Sequence, residues 1–130
     1  MNTHANILVS VIFLTACLAS LNTYEEEISG FVFFIVTVVG AIVGSVICFL
    51  AYAQANKSLG EKSTAYLIVA YASAIFGLLA YLHYATNGKS DSLNSAAHMH
   101  IIAFPILHTF LSVSGIILAA VWVSIRKNIN

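Results

Sequence analysis

Apolar residues in this 130-residue chain gather into long unbroken runs, not into alternating or one-sided patterns. Crossing about 30 Å of hydrocarbon takes about 20 apolar residues at helical rise. The runs Asn6 to Leu21, Ile28 to Ala55, Thr64 to Ala85 and Ala96 to Ile125 meet or approach that length, the first being the shortest. No two-residue alternation competes with them, and a closed barrel needs more strands than this length supplies. Short polar segments separate the runs: Asn22 to Glu27, Asn56 to Ser63, and Thr86 to Ser95 with its Asn87-Gly88-Lys89-Ser90-Asp91 core. The pattern predicts an all-α integral membrane protein, one domain over residues 1–130, folded as a four-transmembrane-helix bundle.

Charge gives this bundle a direction. Lys57, Lys62, Arg126 and Lys127 fall on one side of the predicted crossings and only Lys89 on the other. Positive residues mark cytoplasmic loops, so both termini are expected in the cytoplasm, in a multi-pass protein of the plasma membrane. Tyr52, Tyr66 and Trp122 fall near the predicted inner interface and Tyr24, Tyr81 and Tyr84 near the outer one, depths that amphipathic rings favour. Composition agrees: 60% of residues are hydrophobic and 8% charged, against about 25% charged in soluble domains. Mean hydropathy is +0.93. Zero net charge argues against nucleic-acid binding. Cys17 and Cys48 lie inside apolar runs, where lone thiols are packing residues. The first run resembles a signal peptide in its Ala16-Cys17-Leu18-Ala19-Ser20 segment, but no Lys or Arg precedes it. Retention is the expectation, with cleavage as the alternative.

Small residues punctuate the long runs. Gly40 and Gly44 form a GxxxG pair with Ser45 beside it; Ala70, Ser73, Ala74 and Gly77 give the third run a small face; Ser112, Gly115 and Ala119 do the same for the fourth. Lipid supplies no hydrophobic drive between helices, so close backbone approach at such residues holds them together. The same stripes would equally serve contact with other membrane subunits. Pro105 lies about two turns into the fourth run and is expected to kink it.

Histidine is the main chemical signal. His4 sits near the N-terminus and is expected in water, while His83, His98, His100 and His108 group toward the outer side. His98 and His100 are about 160° apart around a regular helix, and His100 and His108 about 80° apart and ~12 Å in depth. Imidazole ligates copper, zinc and haem iron. His83, His100 and His108 are therefore candidate cofactor contacts, and His98-Met99-His100 a candidate metal segment with a thioether between two imidazoles. The alternative for the outer three is hydrogen bonding at a wet interface. For His108, deeper in the membrane, it is a neutral ring bonded to a backbone carbonyl or to Ser or Thr. No carboxylate lies within a predicted crossing, which disfavours a proton pump. No Ser-His-Asp set, phosphate loop or CxxC is present, so nothing supports an autonomous hydrolytic or thiol-redox enzyme.

Ala80-Tyr81-Leu82-His83-Tyr84 followed by Gly88, and then Ile106-Leu107-His108-Thr109-Phe110-Leu111-Ser112, resemble a family of small bacterial and archaeal membrane proteins linked to assembly of haem-copper terminal oxidases. The resemblance covers about residues 50 to 127. It departs where Glu61-Lys62-Ser63 replaces the family's His-Arg, and a later histidine-bearing helix is absent. His98 and His100 are also similar to the His-x-His that opens a helix in catalytic subunits of those oxidases. The resemblance implies a small non-catalytic subunit or assembly factor of a membrane redox complex, with haem b or copper as cofactor and other membrane subunits as partners. The alternatives are a purely structural subunit without ligand, or a small-solute transporter.

Overall fold

The computed structural model describes the backbone over residues 3–25, 31–87 and 95–129, and side chains over 3–21, 35, 38–83 and 104–129. The helices are α1 (Thr3–Glu25), α2 (Phe31–Leu59), α3 (Thr64–Asn87) and α4 (Ser95–Ile129), and a 3-10 turn over Gly60–Ser63 joins α2 to α3. No strand occurs among the described residues. Three stretches are long and apolar enough to cross a membrane: Thr3–Leu21, Val38–His83 and Phe104–Ile129. The second is 46 residues long and takes in most of α2, the turn and most of α3.

The helices run past the apolar limits expected for them. α1 begins at Thr3, not Asn6, and α4 continues to Ile129, not Ile125. Apolar runs mark only the lipid-buried part of a helix. Its backbone ladder continues into interfacial water, where polar side chains cost nothing. The expected polar loop over Asn56 to Ser63 is accordingly almost all helical. Lys57 sits in the last turn of α2, favourably placed against the helix dipole, and Ser58 Oγ donates back to the Gln54 carbonyl at 3.2 Å. Gly60 then stops the helix at φ +56°, the left-handed conformation that a residue without Cβ adopts without penalty. Ser63 Oγ donates to the Gly60 carbonyl at 2.6 Å and Thr64 Oγ1 to the Glu61 carbonyl at 2.8 Å, so the turn closes on itself.

α2 and α3 pack against each other and against both α1 and α4. One core cluster joins Leu8 and Ile12 of α1 to Cys48 and Tyr52 of α2 and to Ala70 and Ala74 of α3. Another joins Ala19, Ala41, Tyr81 and Phe104. These pairings set the early part of α1 beside the late part of α2 and the early part of α3, an up-and-down arrangement. Buried positions are mostly small or polar, while large apolar side chains point outward: Phe13, Phe110 and Leu118 are 68–70% exposed. That inversion of the water-soluble pattern is what a lipid environment permits.

One expectation fails in this packing. Tyr52 and Tyr81, expected in interfacial belts, are buried core residues. His4, expected in water, is exposed and also meets Tyr71 of α3, with Nδ1 2.8 Å from the phenolic oxygen and the rings edge to face at 5.7 Å. Each helix is apolar on every side, so composition sets the depth of a residue but not the neighbour it faces. Tyr24 and Tyr84 lie outside the described side chains.

Candidate functional site

Three stripes converge between α2, α3 and α4. On α2, Ala41, Gly44, Ser45 and Cys48 follow the i, i+3, i+4, i+7 spacing of one helix face, and all are buried. On α3, Ala70, Ser73, Ala74 and Gly77 repeat that spacing and burial. On α4, Phe104, His108, Ser112 and Ala119 form the facing row. Small residues bring the backbones together, and the few polar atoms among them must then find one another.

His108 lies at the centre, only 1% exposed. Its Nε2 is 3.0 Å from the Ser73 carbonyl oxygen and 3.3 Å from Ser73 Oγ. A carbonyl can only accept, so Nε2 carries the proton and donates it there. Ser73 Oγ pairs with Ser112 Oγ at 2.8 Å. Ser45 Oγ donates to the Ser73 carbonyl at 3.3 Å, and Cys48 Sγ contacts the Ser112 carbonyl oxygen at 3.6 Å. The network ties all three helices at one level. His108 Nδ1 has no hydrogen-bond partner among the described residues. The imidazole also lies nearly parallel to Phe104, with centroids 5.3 Å apart at 11°, and to Phe76, at 5.9 Å and 15°.

The glycines make room for this arrangement. A Cβ on Gly44 would stand 2.7 Å from Ser112 Oγ and 2.8 Å from His108 Nδ1, whereas one on Gly77 would meet the imidazole at an ordinary 3.5 Å. Gly40 receives the ring of Pro105, whose Cγ would lie 2.9 Å from an added Cβ, and Gly115 faces Val69 at 2.9 Å. Pro105 is thus a packing element inside α4 as well as a break in its ladder.

The candidate ligands are not gathered at one point. His83 is exposed on α3, ten residues beyond Ser73 and so roughly 15 Å further along the axis. It shares no coordination sphere with His108. The side chains of His98, Met99 and His100 lie outside the described residues. Among the described residues no three His, Cys, Asp or Glu side chains are grouped to hold a metal. His108 itself does not fit haem or copper in this geometry. Nε2 is committed to Ser73, and on the Nδ1 side even an added methyl group at Gly44 would be too close. Its environment is the hydrogen-bonded alternative, a histidine fastening helices.

Sequence reasoning singled out His108 and the small residues separately, but not the bonds between them. Ser73, Ser112 and Cys48 as its polar neighbours, and Phe76 and Phe104 as its ring partners, went unassigned. The available signal was the recurrence of hydroxyl-bearing residues within the small stripes of three helices. No family model, curated protein or solved structure matches the chain.

Proposed function

We propose that the chain is a non-catalytic, multi-pass subunit or assembly factor of a larger membrane redox complex. It crosses the bilayer four times, since Val38–His83 is interrupted by the Gly60–Ser63 turn and so passes twice. Both termini lie in the cytoplasm of a plasma-membrane protein, on the side that holds Lys57, Lys62, Arg126 and Lys127. The observation that carries the non-catalytic reading is the closed polar network. His108, Ser45, Ser73 and Ser112 are turned on one another, with no carboxylate in the four predicted crossings to work with them. The redox assignment rests on the resemblance around His83 and His108. A contact with haem b or copper then belongs to the outer set His83, His98, Met99 and His100, and His108 is a packing residue. The runner-up, a structural subunit without ligand, is favoured by the Ser73–His108 bond alone.

Two measurements test this. Four crossings place Ser58 and Asn128 on the same face. In a Cys17→Ser, Cys48→Ala background, Ser58→Cys and Asn128→Cys should both react with an impermeant maleimide only from the cytoplasmic side; labelling from opposite sides defeats the topology. Protein purified in mild detergent should show a Soret band or stoichiometric copper that His100→Ala abolishes and His108→Leu spares. With neither signal in the wild-type protein, the ligand-free subunit is the correct reading.

A further inference from the structure

Beyond the contact of Val69 with Gly115, α3 and α4 leave a groove of ≈ 650 Å³ between them. Ile68 and Val69 line one wall, Leu118, Trp122 and Ile125 the other, and Arg126 stands at one end. Nearly all of the lining is carbon. The guanidinium of Arg126 lies over the Trp122 ring at 5.2 Å, a stacking that leaves its in-plane N–H donors directed outward. The Thr64 hydroxyl at the same end is already bonded to the Glu61 carbonyl, so Arg126 is the polar group left to meet a ligand there. This end of the molecule also carries Lys57, Lys62 and Lys127 against Glu61 alone. From Arg126 to Leu118 the groove follows α4 for roughly 12 Å at helical rise.

An elongated apolar slot at membrane depth, closed at its interfacial end by a cation, matches one class of molecule: an acyl chain bearing an anionic headgroup. We infer that the α3–α4 groove binds an anionic phospholipid, with one acyl chain along Val69, Leu118 and Trp122 and the phosphate on Arg126. Basic pockets between membrane helices recognise such headgroups through charge-assisted hydrogen bonds. This site rests on the membrane-spanning reading and requires neither a redox partner nor a cofactor.

Trp122 is the chain's only tryptophan, so its fluorescence reports occupancy of the groove directly. The protein is reconstituted in vesicles of dibromophosphatidylglycerol or of dibromophosphatidylcholine, each normalised to the same lipid without bromine. Quenching should favour the anionic lipid by about fivefold in relative binding constant, the factor one surface cation supplies. Arg126→Gln should remove that preference, and Lys57→Gln, at the same end of the molecule but outside the groove lining, should keep it. Equal quenching by both lipids overturns the site, as does an equal loss of preference in the Lys57 variant, which would mean diffuse surface attraction. Absence of quenching by either lipid overturns the membrane-spanning reading itself.

Discussion

Replacing His108 by alanine is expected to destabilise the protein by about 3 kcal/mol, more through lost volume than through the lost hydrogen bond. Truncating a large buried side chain to alanine costs about 2–5 kcal/mol, and His108 is almost wholly buried, with its ring packed against two phenylalanine rings that also touch each other. A hydrogen bond between membrane helices contributes only about 0.6 kcal/mol on average. Its loss here leaves no orphaned carbonyl, because Ser45 Oγ still donates to Ser73 O. His108→Leu, which restores most of the volume, should therefore cost about 1 kcal/mol, within the range usual for hydrophobic replacements of similar size. Cys48 offers the readout, being buried while Cys17 is exposed. In a Cys17→Ser background, a thiol-reactive dye labels Cys48 only as the helices separate. Denaturing-detergent titrations followed this way should rank wild type, Leu and Ala in that order. A leucine variant as unstable as alanine would show that the polar network, not packing, holds the three helices.

The second large effect is expected at Gly44. A methyl group there would press on Ser112 Oγ and His108 Nδ1 at 2.7 and 2.8 Å, and both are fixed by their own bonds to Ser73. Overpacking of this kind costs about 1–3 kcal/mol, against which the helix-propensity gain of alanine over glycine offsets up to about 1 kcal/mol. Gly44→Ala is thus a net loss, and Gly44→Leu should drive α2 and α4 apart. Gly77→Ala is the control, because its Cβ would meet the same imidazole at 3.5 Å and should shift stability by no more than about 0.5 kcal/mol. The Cys48 labelling midpoint measures all three. If Gly77→Ala fell as far as Gly44→Ala, the cost would lie in losing glycine itself, not in the close approach of α2 to α4.

These two residues mark the limit of what could be read before folding. Gly44 was legible as a packing position because GxxxG is a local spacing. Its counterpart was not, since nothing in α2 says that α4 brings His108 and Ser112, 64 and 68 residues on, to it. The roles of the other glycines divide the same way. A Cβ added to Gly40 or Gly115 would stand 2.9 Å from Pro105 or Val69, while Gly77 has space to spare, though these glycines look alike in sequence.

Runs of apolar residues by themselves determined the helical class, a membrane-spanning chain and the approximate ends of each helix, because lipid admits only a backbone that satisfies its own hydrogen bonds. Which side of each helix turns inward was decided only by the tertiary structure. In water that information is written as an amphipathic stripe, but a helix in lipid is apolar all round. Tyr52 and Tyr81 therefore passed for interfacial residues and are core, and the contact of the exposed His4 with Tyr71 could not be foreseen. Only the small-residue stripes carried directional information, and they ended where the histidine network began.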